Sequence, residues 1–152
     1  AERFGREHRV GEHLVYSLSP EMLAGATVAE IRDLQFTNRK AEYLIAAAEE
    51  VASGRLSVGD LAALPDEEAI RRLSSLRGIG LWTAEWILAR TLGRPRVVAG
   101  DLGVPRAVGL AYLGSPLPSE GEVRAATAHW GPSAGVAQAL LLHGLAHGVL
   151  RA

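Results

Sequence analysis

The 152-residue sequence contains no cysteine. Disulfides, thiolate zinc sites, cysteine-ligated iron–sulfur clusters and a cysteine nucleophile are therefore excluded. Lysine is almost missing too: of sixteen basic residues only Lys40 is a lysine, so any chemistry that needs a lysine amine has a single candidate. Aromatic residues make up just 5% of the chain, so clustered tryptophans stand out. No stretch approaches the roughly 18–20 uninterrupted apolar residues of a membrane span, and the charged opening Ala1–Val10 lacks the apolar block of a secretory signal. The expectation is a soluble, intracellular protein with no membrane partner.

With 48% apolar residues the chain can bury a core, and its length suits one domain, residues 1–152. The net charge of −1 conceals an asymmetry. Residues 1–70 carry 7 basic and 13 acidic groups, residues 71–106 carry 7 and 2, and residues 107–152 carry 2 and 2. A basic middle fits a localised anion-facing surface, and for Arg71 and Arg72 it fits a solvated helix face equally well.

Proline and glycine punctuate the chain at intervals suited to short helices, and no run shows the β-branched alternation of a strand. The spacing predicts an all-α fold, with helices near 20–25, 27–34, 38–53, 57–63, 66–76, 81–92, 104–113, 119–130 and 133–150. Capping-box spellings at Thr27…Glu30, Ser57…Asp60 and Ser119…Glu122 support three of the starts. The acids Asp66, Glu67 and Glu68 after Pro65 favour another. The last helix is apolar on nearly every side, interrupted by Gln138, and is expected in the middle of the bundle.

The most informative run is Leu76-Arg77-Gly78-Ile79-Gly80-Leu81-Trp82-Thr83-Ala84. Two glycines around one apolar residue permit a tight reversal between helices, with Ile79 turned inward. Free N–H groups at the start of the second helix would then favour a phosphate oxygen. An ordinary helix–helix corner has the same spelling. Downstream, Asp101 is the one charge in the apolar loop Val97–Val104. A lone acid there must be capped, paired or employed. Capping the next helix is one role; Pro105 moves that helix start toward Gly103 or Val104 and leaves Asp101 just outside it.

The run Arg77–Ala84, followed by Leu92-Gly93-Arg94-Pro95 and Gly100-Asp101-Leu102-Gly103, resembles the signature of the helix-hairpin-helix (HhH-GPD) DNA glycosylases. Trp82 after the hairpin resembles the alkylpurine branch, typified by 3-methyladenine DNA glycosylase II. Pro20-Glu21, Leu23-Ala24, Arg39–Leu44 and Trp130-Gly131-Pro132 are similar to that branch as well. The likeness runs over residues 4–148 and implies a compact multi-helix domain that lacks the family's N-terminal portion.

The resemblance implies a monofunctional DNA N-glycosylase in base excision repair that hydrolyses the glycosidic bond of alkylated purines such as 3-methyladenine. Asp101 would be its catalytic carboxylate. Trp82, Trp86 and Trp130 would form the base pocket, and Arg77, Gly78, Ile79, Gly80 and Thr83 would hold the DNA backbone. Core packing is the competing role for each tryptophan. Double-stranded DNA with a damaged base is the implied partner, the protein a monomer without cofactor, and its place the bacterial cytoplasm with the nucleoid. Bifunctional relatives carry a lysine where Trp82 stands, so no strand-nicking activity is implied. His143 and His147, with a His-x3-His spacing, are read as packed or surface histidines, and no metal is expected. Two departures are Ala134 in place of the family's arginine after Trp130 and Pro132, and Pro105 beside the active loop. A noncatalytic hairpin module with Asp101 as a cap is the alternative.

Overall fold

The computed structural model describes residues 2–151 and is mainly helical. The chain divides into two compact units. One takes the chain as far as Ala63 together with Ser75–Gly78; the other takes Leu64–Ser74 and everything from Ile79 onward.

In the first unit, side-chain caps set the helix starts. Ser19 opens α1 (Pro20–Ala24), and Thr27 with Glu30 forms a reciprocal capping box at α2 (Val28–Arg32). Thr37 caps α3 (Asn38–Ala52), and the Ser57 hydroxyl accepts from the Asp60 amide at 3.0 Å at the start of α4 (Val58–Ala63). Phe4, Leu23, Ile31, Ala41 and Ala48 form the buried core, flanked by Leu44 and Ile45. Helix α3 accordingly buries one face.

The expectation of helices alone misses one element. Strands β1 (Gly5–Val10) and β2 (His13–Leu18) pair antiparallel, with Val10 opposite His13 across Gly11-Glu12. Gly11 holds φ at 60°, the sense a two-residue hairpin turn of type II′ requires. Neither face of this ribbon is buried: Val10 and Leu18 are each 62% exposed. Its sequence therefore lacks the apolar-in, polar-out alternation that betrays a strand.

In the second unit, α5 (Asp66–Ser74) carries Asp66, Glu67 and Glu68 in its first turn and Arg71 and Arg72 in its last, matched to the helix dipole at both ends. Helix α6 (Leu81–Trp86) continues into a π-helical segment, Ile87–Thr91, and α7 (Gly103–Val108) continues into another, Gly109–Leu113. Helix α8 (Glu120–Thr127) starts on the Ser119–Glu122 capping box, and a kink at Gly131 separates it from α9 (Ala134–Ala146). Ala99, Val104, Val108, Val123, Trp130 and Ala134 make the core.

Helix α9 departs from the central position expected of it. Val136 and Leu140 are 65% and 66% exposed, whereas Gln138, the polar interruption, is buried. The Gln138 side chain donates to the Arg96 carbonyl at 2.8 Å and accepts from the Val98 amide at 3.1 Å. It thereby satisfies two backbone groups of the loop that leads to Asp101. Replacing it with Leu strands both. We expect Gln138→Leu to destabilise the protein by about 2–4 kcal/mol, read from denaturant unfolding, even though the new side chain is apolar. A loss below about 0.5 kcal/mol would show that the clamp contributes nothing.

Candidate active site

Helix α6 begins at Gly80, which makes no side-chain cap bond, so the first-turn amides are left to other partners. Before it, Gly78 sits at φ 90°, a left-handed value that disfavours other residues. A β-carbon there would also overlap the ring of Tyr43. Arg77 pairs with Glu42 at 3.3 Å and lays its guanidinium over the same ring, 5.5 Å from its centroid. Ile79 is half-buried.

On α6, Trp82 and Trp86 stand one turn apart, and both indole N–H groups point at one oxygen. Trp82 Nε1 donates to Asp101 Oδ2 at 2.8 Å, and Trp86 Nε1 donates to it at 3.2 Å. The other oxygen, Oδ1, accepts from the Gly103 and Val104 amides at 2.7 and 3.2 Å. Asp101 is thus both a cap for α7 and a partner of the two tryptophans. Because α7 starts at Gly103, Pro105 falls in the first turn, where its missing N–H breaks no helical bond. Gly103 allows the close approach: a β-carbon there would lie 3.3 Å from Oδ1 and 2.7 Å from the Leu142 side chain.

Desolvation alone would raise the Asp101 pKa. The hydrogen bonds from Trp82, Gly103, Trp86 and Val104 outweigh it and hold the carboxyl below its ordinary value. No ion pair joins this carboxylate among the described residues. It is a charge stabilised by dipoles alone.

The carboxylate faces a cavity of about 520 Å³. Trp82, Thr83 and Trp86 of α6 line it, with Ile87, Arg90 and Thr91 of the π segment, and Leu142 of α9. That volume lies within the range of about 300–1,000 Å³ typical of small-molecule sites. A π-helical turn on such a wall is a common mark of function. Trp130, expected at the pocket, is instead 8% exposed inside the core, where its indole N–H donates to the Tyr112 hydroxyl at 3.4 Å. Trp86 does both, lining the cavity and packing against that core.

Sequence reasoning missed two residues. Arg90 stacks its guanidinium on Trp86, 4.3 Å from the ring centroid. Its signal was the four-residue spacing from Trp86. Glu85, only 2% exposed, takes Arg96 and Arg124 on one carboxylate oxygen at 3.0 and 3.2 Å. Its signal was that no other acid stands between Glu68 and Asp101. Arg124 also donates to the Val97 carbonyl at 3.3 Å, so the loop before Asp101 is tied from α6, α8 and α9. His143 and His147 stack 3.9 Å apart, and among the described residues no cluster suits a metal ion. Nor, among them, is any helix long and apolar enough to cross a membrane.

Comparison with known proteins places this geometry. YfjP of Bacillus subtilis, which carries a provisional DNA-3-methyladenine glycosylase name, is 35% identical over 114 residues, or 74% of this chain and 40% of its own length. A second Bacillus subtilis protein, DNA-3-methyladenine glycosylase, is 31% identical over 72% of this chain and 37% of its own. The solved 3-methyladenine DNA glycosylase of Archaeoglobus fulgidus superposes with a TM-score of 0.81 at 32% identity, covering 94% of this chain and 48% of that one. The chain therefore spans less than half the length of each of these proteins. A family described as HhH-GPD superfamily base excision DNA repair protein matches residues 2–133, a stretch that holds both the glycine turn and Asp101. This chain belongs to the HhH-GPD superfamily of base excision DNA repair proteins.

Proposed function

We propose that the chain carries the base-removal centre of a DNA glycosylase that acts on alkylated purines such as 3-methyladenine in double-stranded DNA. The observation that carries this reading is the Asp101 carboxylate, held ionised by two indoles and two amides on the wall of a base-sized cavity. Breaking the N-glycosidic bond develops positive charge on the deoxyribose, and a nearby fixed anion lowers the energy of that transition state. A carboxylate offers about four acceptor sites, and four donors already fill them. Asp101 therefore acts here as a standing charge rather than as a proton acceptor for water.

The base must leave the helical stack to reach this cavity, and exposed indole surface on Trp82 offers a platform for it. The uncapped first turn of α6 offers amide donors to a phosphate, with Thr83 beside them and Arg77, Gly78 and Ile79 preceding them on the chain. These contacts would hold DNA without reading its sequence. The relatives' glycosylase names support the same reaction class.

The deciding experiment incubates the purified protein with methylated DNA and quantifies released 3-methyladenine and 7-methylguanine. Asp101→Asn should cut release by about 10²-fold or more while DNA binding in a gel-shift assay persists. Failure of the parent protein to release any base at enzyme excess would sink the proposal and leave a hairpin module for which Asp101 is only a cap.

The lowered pKa fixes the sign of the pH dependence. Asp101 stays charged as pH falls through the ordinary carboxylate range, so base release should persist there and fall only at lower pH. Trp82→Phe removes the shortest indole donor and should move this acid limb upward; an unmoved limb would detach the indole from the charge. By the family resemblance Trp82 takes the place of the lysine of bifunctional relatives, and the one lysine, Lys40, lies on α3. The abasic product strand should stay uncut, and borohydride should trap no protein–DNA adduct.

A further inference from the structure

The cavity holds a second charge that the proposed reaction leaves unused. Arg90 projects from the π segment onto Trp86, its guanidinium carbon 4.3 Å from the ring centroid, and lines the same cavity as Asp101. It is exposed, and among the described residues no carboxylate pairs with it. The other cavity-lining side chains apart from Asp101 are uncharged. A base entering this cavity therefore meets, besides the Asp101 carboxylate, a cation stacked on one of its two indoles.

We propose that Arg90 is a specificity-determining residue that weakens the site's advantage for cationic alkylated bases and helps it admit uncharged modified purines as well. The inference rests on the glycosylase reading above and names the residue that sets how that site discriminates between charged and uncharged bases. Two effects act in the same direction. A cationic alkylated base gains cation–π attraction from an indole, but Arg90 already covers a face of Trp86, so the base must displace one cation with another or accept repulsion beside it.

Departure of the base supplies the second effect. The C1′–N9 bond breaks with its electron pair on N9, water oxygen bonds to C1′, and the water proton ends on the base or in solvent. A cationic purine leaves neutral, whereas a neutral purine carries off negative charge until it is protonated. A guanidinium within hydrogen-bonding reach of the departing ring stabilises only the second case. Asp101 serves both cases alike, because the sugar becomes positive in each.

The test compares two DNA substrates under single-turnover conditions, one carrying 7-methylguanine as the cationic base and one carrying hypoxanthine as the neutral base. Arg90→Met should raise kcat/KM for 7-methylguanine and lower it for hypoxanthine, shifting their ratio by about tenfold or more. Arg90→Lys, which keeps the charge, should leave the ratio within about threefold of the parent. Arg90→Gln, judged folded by circular dichroism, provides a second neutral replacement. A ratio unchanged in Met and Gln variants overturns the proposal. So does an equal loss on both substrates, the mark of a phosphate contact. If the parent releases neither of these bases nor 3-methyladenine, the glycosylase reading itself falls and takes the role of Arg90 with it; if it releases 3-methyladenine alone, the role of Arg90 falls and the glycosylase reading stands.

Discussion

An ionised carboxylate that has no cationic partner among the described residues is the condition around which the second unit is arranged. Its charge must be stabilised by dipoles, and four of them converge from two directions: two indole N–H groups from α6 and two amides from the start of α7. Each demands something of the sequence. The indoles must lie one helical turn apart, residue 103 must leave room for the carboxylate and Leu142, and the helix after the loop must begin two residues beyond the acid. The buried Glu85, clasped by Arg96 and Arg124, and the bonds from Gln138 then fix the approach of the loop. A neutral site would need little of this scaffolding.

Of the two roles open to Asp101 in the sequence, the cap forms through one of its oxygens, and the proposed reactive charge leaves the other to the indoles. Oδ1 closes the start of α7 while Oδ2 faces the indoles. The division has a physical logic. Capping orients the carboxylate through short backbone bonds that cannot drift, and the same bonds help keep it charged. A side chain that is part of the helix start needs no further restraint to hold its direction.

Much of this could be read from the residues. The capping boxes at Thr27 and Ser119 formed as spelled, because the cap chemistry is local and needs no tertiary partner. Family membership was visible in the order of glycine turn, tryptophan and acid, and the family match bears it out. Other features depended on contacts that no local pattern encodes. The hairpin β1–β2 buries neither face and so has no alternation to detect. Trp82, Trp86 and Trp130 looked alike as aromatic platforms. Trp130 instead lies inside the core, and the other two meet Asp101 through their N–H edges, a directional role that spacing alone does not express. Arg90 belonged to a basic segment, and only coordinates distinguish a guanidinium stacked on a ring from one in solvent.

Helix α9 inverts the usual arrangement, with its glutamine inside and two of its aliphatic side chains in water. Because that amide fastens the peptide groups at 96 and 98, one of the ties on the loop is a single rotamer contributed from forty residues away. Warming that frees this rotamer would loosen the strand of chain before Asp101 while the helices themselves still stood. Such a molecule would lose the set of the Asp101 carboxylate at a lower temperature than its ellipticity, and the loss would be reversible for as long as the helical framework persisted.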